Sequence, residues 1–239
     1  MTKSSGFVVG LQKEYLARIV LGIETDTLDP EGRIIEESGH MPARAEFEAV
    51  LDDFRGLIEQ VPPRYSALHV DGVRAHRLAR EGKEVTLEAR RVVIHKLELM
   101  DFAPPRADIR VVCSKGTYVR SLARDIALAG GTRGHLTFLR RTRIGPFLAD
   151  EAVSPGKIDA SSLMSPVDFF SRLDDIATHR VEEPVRLKIS RGQPLEDRFF
   201  PAPGPSEGLN AIFDSDDNFL ALVEKKGPRY SYKFVGARG

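Results

Sequence analysis

Cys113-Ser114-Lys115-Gly116-Thr117-Tyr118-Val119-Arg120-Ser121-Leu122-Ala123-Arg124-Asp125 closes one element and opens another. The apolar residues 109–113 read as a strand, and 117–129 as a helix ended by Gly130-Gly131. An ammonium, an aromatic ring and a guanidinium fall within the six residues from Lys115 to Arg120. A strand-to-helix junction is where an α/β sheet lifts side chains clear of its packed core, so it is a natural place for chemistry. Further along lies a basic cluster, Leu139-Arg140-Arg141-Thr142-Arg143. Together the two runs suit a ligand that is both anionic and planar, and RNA is both.

Upstream, residues 14–22 alternate. Tyr15, Ala17, Ile19 and Leu21 share one face, with Leu16, Arg18 and Val20 on the other, which reads as a strand. Asp29-Pro30-Glu31-Gly32 is a turn and 33–36 a second strand. Pro42 opens an amphipathic helix in which Phe47, Val50, Leu51, Phe54, Leu57 and Ile58 follow helical spacing until Pro62-Pro63. A short strand over 66–70, a helix over 73–81 and a long apolar alternation over 85–102 come next, and a helical signal recurs near 165–173. From Val185 the texture changes to short strands: Leu187-Lys188-Ile189, Ala211-Ile212-Phe213, 219–223 and 230–235. The fold expected is therefore α/β in the α+β sense. A mixed, largely antiparallel sheet is flanked by helices over residues 1–180, and a small β module follows over 181–239.

The 239 residues are 41% hydrophobic and 29% charged, as a folded soluble protein should be. No apolar run is long enough to cross a membrane as a helix, and the N-terminus has no signal-peptide core. The single Cys113 rules out a disulfide framework within the chain and fits a reducing cytoplasm; it reads as a buried strand residue. Net charge is zero, yet residues 61–145 hold 17 Lys and Arg against 8 Asp and Glu, while both flanks are acidic. A local excess of this size attracts phosphates, although arginines that merely solvate a surface would look the same. The six histidines show no metal-ligand spacing, and no glycine-rich phosphate loop is present.

Three runs remain: Lys13-Glu14-Tyr15; Gln60-Val61-Pro62-Pro63-Arg64-Tyr65-Ser66-Ala67-Leu68 with Gly72-Val73-Arg74-Ala75; and 114–124. In this order and spacing they resemble the bacterial tRNA pseudouridine synthase B family. Leu21-Gly22-Ile23-Glu24-Thr25-Asp26-Thr27-Leu28-Asp29 and residues 135–147 add to the likeness, which covers about residues 2–147. It is weaker in the C-terminal module, which is similar to the family's PUA-type RNA-binding appendage. The resemblance implies isomerisation of uridine 55 in the T arm of tRNA, in the cytoplasm, by a monomer that needs no cofactor and no metal.

It also implies roles. Tyr15 would stack on the target uracil, Tyr118 and Leu139 would line the pocket, and Arg120 would pair with a catalytic aspartate. Lys13, Lys115, Arg140, Arg141 and Arg143 would meet the RNA backbone. All but Tyr118 have an ordinary alternative: Tyr15 and Leu139 as core, Arg120 as a phosphate contact or solvated helix residue, and the cations as plain surface charge. The family's aspartate sits in a Gly-His-x-Gly-Thr-Leu-Asp-Pro motif ahead of the Lys-x-Tyr strand, and only twelve residues precede Lys13. Thr27-Leu28-Asp29-Pro30 copies half of that motif but lacks its Gly-His and follows the strand, so Asp29 is not read as the nucleophile. The expectation is a family member without its first segment, inactive by itself. The alternatives are a non-catalytic tRNA-binding or tRNA-folding protein, or one half of a split enzyme.

Overall fold

The strand β1, Lys13–Leu21, is the axis of the first part of the molecule. Its alternation sends Ala17, Ile19 and Leu21 into the core, each no more than 2% exposed. The computed structural model describes residues 5–66, 68–70, 73–74, 77 and 87–236, and divides into two compact units, Met1–Glu151 and Ala152–Gly239.

In the first unit, helix α1 (Ser5–Gly10) leads into β1, and the hairpin β2 (Ile23–Thr25) and β3 (Ile34–Glu37) follows. Helix α2 (Arg44–Asp53) comes next, its first turn closed by Glu46, whose carboxylate accepts the Ala43 N–H at 2.8 Å. Then come β4 (Gly56–Gln60), the two-residue pair β5 (His69–Val70) and β6 (Val73–Arg74), β7 (Arg90–Ala103) and β8 (Arg106–Cys113). Helix α3 (Val119–Ala129), β9 (Gly134–Ile144) and β10 (Phe147–Leu148) complete the unit. The main sheet runs β10-β9-β1-β8-β7-β4 and is antiparallel at every pairing. Phe47 and Leu51 of α2 and Leu122, Ala123 and Ile126 of α3 join Ala17, Ile19, Leu97, Ile109 and Val111 in one core. Cys113 is buried in it, and burial pushes its thiol pKa up.

Two expectations in this unit need correction. Leu57 and Ile58 continue the helical spacing of α2 but belong to β4, where they pair with Val93 and Val92. Gly56 keeps the chain from resuming the helix that ends at Asp53: its φ of +82° is a conformation glycine alone adopts without penalty, and Leu57 is left 65% exposed. Val73, expected to start a helix, pairs with Val70 in β5–β6; most of 75–86 lies outside the described residues.

The second unit holds α4 (Pro166–Ser171), β11 (Ile176–Arg180), α5 (Glu183–Ser190), β12 (Gly208–Phe213), β13 (Phe219–Lys226) and β14 (Arg229–Val235). Its sheet runs β11-β12-β13-β14, with β11–β12 parallel and the rest antiparallel. The unit begins earlier than the expected 181. β11 is hydrogen-bonded to β12, and Phe170 of α4 packs on the rings of Phe213 and Phe219, so both elements belong to the second unit. Leu187-Lys188-Ile189 is also not a strand but the last part of α5. Pro184 sits in its first turn, and Val185 and Ile189, four residues apart, face the core. Three residues of alternation are too few to separate the two periods.

Candidate nucleic-acid interface

β8 ends at Cys113, which lies opposite Lys13 at the start of β1. The chain then turns through 114–118 into α3, so the helix N-terminus stands beside the Tyr15 end of the central strand. Tyr118 is the N-cap residue of α3, and its N–H donates to Gln60 Oε1 at 2.8 Å. Arg120, in the first turn, is the hub. Its Nη1 donates to the Thr27 carbonyl at 3.0 Å and to Asp29 Oδ2 at 2.8 Å, and its Nη2 donates to the Tyr65 carbonyl at 2.8 Å. Nε donates to none of the described residues. A guanidinium has five N–H donors, so this one is held firmly by three acceptors and retains donors for a further anion.

Asp29 is itself arranged for that contact. Thr27 Oγ1 donates to Asp29 Oδ1 at 2.5 Å, and Thr25 Oγ1 donates to the Asp29 carbonyl at 2.7 Å. The preceding Leu28 has a φ of +61°, a left-handed conformation that costs a branched residue about 1–2 kcal/mol. Burial of its side chain to 4% exposure and a 3.1 Å bond from the Leu136 N–H to its carbonyl hold it there. Sequence reasoning set Asp29 aside as a nucleophile and did not foresee it as the carboxylate on Arg120. The Thr-x-Asp spacing was the available signal. The Tyr65 carbonyl, as a backbone group, left none.

Strand register places the other candidates. Tyr15 pairs with Arg141, and Ala17 with Leu139, so Tyr15, Leu139 and Arg141 share the face that α3 covers further along. Tyr15 packs partly buried against the core, and Leu139 is 45% exposed. Lys13 lies on this face too. Its ammonium donates to the Val9 and Leu11 carbonyls at 2.5 and 2.7 Å. Desolvation lowers its pKa, and the charges of Arg141 and Lys115 add to that effect against an opposing one from Cys113. Lys115 and Arg141 are exposed, and their side chains make no hydrogen bond or ion pair among the described residues.

Arg140 and Arg143 go elsewhere. They pair with Leu16 and Glu14, on the opposite face of the sheet. Arg140 bonds Asp150 at 3.1 Å; Arg143 donates to the Gly145 carbonyl at 3.0 Å and lies 3.7 Å from Glu14. The linear cluster is thus divided by strand alternation, with Thr142 taken up in an irregularity between the Glu14 and Tyr15 pairings. Among the described residues no group of His, Cys, Asp and Glu could hold a metal ion, and no helix is long and apolar enough to cross a membrane.

Comparison with known proteins bears on the family of the chain. Residues 1–119 match the model of the TruB family pseudouridylate synthase N-terminal domain, and 120–166 that of the tRNA pseudouridylate synthase B C-terminal domain. The tRNA pseudouridine synthase B of Zymomonas mobilis is 41% identical over 231 residues, covering 95% of this chain and 74% of that protein. That of Francisella tularensis subsp. novicida is 40% identical over 238 residues, covering 98% and 78%. The fold is shared more widely. A crystal structure of a Cbf5-Nop10-Gar1 complex aligns with a TM-score of 0.63 at 21% identity, over 95% of this chain and 67% of that one. The structure of an H/ACA RNP bound to a substrate RNA containing 2'-deoxyuridine aligns at 0.66 and 20%, over 98% and 68%. With relatives of this identity along nearly its whole length, the chain belongs to the TruB family of pseudouridylate synthases.

Proposed function

We propose that this chain binds the T arm of tRNA as part of a synthase that isomerises uridine 55 to pseudouridine in the cytoplasm, the attacking aspartate not being among these 239 residues. The observation that carries the reading is Arg120, fixed by three acceptors at the mouth of the strand-to-helix junction with donors to spare. A target base inside the T loop must leave its stack to be reached. Tyr15 would then take one face of the uracil, a contact worth about 1–3 kcal/mol. Tyr118 and Leu139 would bound the pocket, and Lys13, Lys115 and Arg141 would meet the backbone of the flipped strand. The C-terminal unit would add RNA contacts as a PUA-like module.

Arg120 serves the reaction by orienting a carboxylate and keeping it ionised, since a neighbouring cation favours the charged form. Asp29 is one such carboxylate. In our reading it positions Arg120 and is not the nucleophile. The Gly-His-x-Gly-Thr-Leu-Asp-Pro motif that the family resemblance assigns to the attacking aspartate occurs nowhere in the 239 residues. The polypeptide should therefore bind a T-arm stem-loop, with affinity that falls as salt rises, and release no tritium from RNA carrying 5-tritiated uridine. Tritium release by these residues alone would make Asp29 the nucleophile. Absence of RNA binding would end the reading altogether.

A further inference from the structure

Gln60 is 2% exposed at the end of β4. Its Oε1 accepts the Tyr118 N–H at 2.8 Å, while its Nε2 is buried with no partner among the described residues. A buried amide that leaves a donor unsatisfied is unfavourable, and such groups are uncommon enough that each calls for a reason. Here the accepting oxygen must supply it. Five residues beyond, the Tyr65 carbonyl accepts Arg120 Nη2. The intervening chain contains Pro62 and Pro63, both buried, whose rings fix φ and stiffen the segment. The segment 60–65 is thus a strut joined to α3 at both ends: Gln60 to Tyr118 at the helix entry, and Tyr65 to Arg120 two residues on.

We propose that Gln60 is a positioning residue for Arg120: by holding the Tyr118 N–H it locks the strut to the helix entry, and the strut presents the Tyr65 carbonyl that fixes the guanidinium. This rests on the reading of Arg120 given above for its catalytic meaning, but not for its physical test. Without the Gln60 oxygen the Tyr65 carbonyl would be free to drift. Arg120 would then rotate about its Asp29 contact instead of standing in one orientation.

The test is NMR of the whole chain with isotope-labelled arginine, the Arg120 signals being assigned with Arg120→Lys. In the wild type the two Nη groups, held by different acceptors, should give separate, slowly averaging signals. Gln60→Met removes the acceptor at similar volume and should speed that averaging about tenfold, the scale of one lost hydrogen bond. Gln60→Glu keeps an accepting oxygen and should restore rates to within about threefold of wild type. Thermal melting checks that each variant is folded. The proposal is overturned if folded Gln60→Met leaves the Arg120 signals unchanged, or if Gln60→Glu behaves like Gln60→Met. It is also overturned if both variants lose the cooperative melt, because Gln60 is then simply a core residue. T-arm stem-loop binding by the wild type is measured separately. Its failure would remove the RNA reading and leave the Arg120 signals to decide this one.

Discussion

The two faces of the β1–β9 pair are built from the same strands and treat their cations in opposite ways. On the face of Glu14, Leu16 and Arg18 every arginine is neutralised. Glu14 takes Arg110 at 2.9 Å and Thr142 Oγ1 at 2.9 Å, with Arg143 at 3.7 Å; Arg18 grips Asp108 through two bonds of 2.7 and 2.8 Å; Arg140 meets Asp150. On the face of Tyr15, Arg141 and nearby Lys115 have no carboxylate partner among the described residues, and Lys13 reaches only carbonyls. Charge satisfied internally holds a fold together, whereas charge left without a carboxylate beside an aromatic ring and a guanidinium hub is, in our proposal, there for RNA. A count of basic residues cannot make that distinction; their carboxylates can.

The comparison is broken most easily at Glu14. It is 9% exposed, and although desolvation favours its neutral form, the bonds from Arg110 and Thr142 and the charges of Arg110 and Arg143 hold its pKa below the usual value. Glu14→Ala removes the carboxylate that accepts from Arg110 and Thr142 and that serves as the counter-charge of Arg143. It should cost about 2 kcal/mol in denaturant unfolding, with T-arm stem-loop affinity of the folded protein unchanged. If the variant is as stable as wild type, this face is not structural.

Arg141 provides the converse. Arg141→Glu should weaken stem-loop binding about tenfold and reduce the salt slope by about one, with unfolding stability unaltered. Arg140→Glu and Arg143→Glu should instead act mainly on stability, since each puts a carboxylate beside Asp150 or Glu14. Equal losses of affinity from all three reversals would mean that the linear cluster acts as one patch and that the division by face has no functional content.

That division was not legible in the sequence, although the strand producing it was. Alternation from Tyr15 to Leu21 identified β1 and its buried face, and the junction at 113–120 identified the start of α3. Arg140, Arg141 and Arg143 look like one patch in a linear reading, because the irregular pairing at Thr142 shows only once β9 is laid against β1. The Arg120–Asp29 contact joins residues 91 apart, and the missing Gly-His together with the place after the strand argued for setting Asp29 aside. Two of the misread segments, Leu57-Ile58 and 187–189, share a cause. Each is too short for its period to be unique, and the deciding residue, Gly56 or Pro184, lies just outside the apolar run.

The smallest expected effect sharpens the comparison within the neutralised face. Arg18 and Asp108 form a two-bond pair, but their side chains are 42% and 26% exposed, so solvent screens most of the attraction. Asp108→Asn should cost about 0.5 kcal/mol at neutral pH, well under the cost at Glu14. Its pH dependence has a definite sign. The bond from Arg18 outweighs desolvation and holds the Asp108 pKa below the usual carboxylate value. A carboxyl depressed in the folded state binds protons less readily there than in the unfolded chain. Its stabilisation is therefore complete above the unfolded pKa, about 3.9, and is lost as pH falls through the lower, folded one. The wild type forfeits that contribution on acidification, and the Asn variant has none to lose. The melting-temperature gap between them should accordingly be largest near neutrality and close below about pH 4. A gap that widens in acid, or one matching that of Glu14→Ala, would mean that exposure does not rank the ion pairs of this face, and the contrast between buried and screened charge would have to be abandoned.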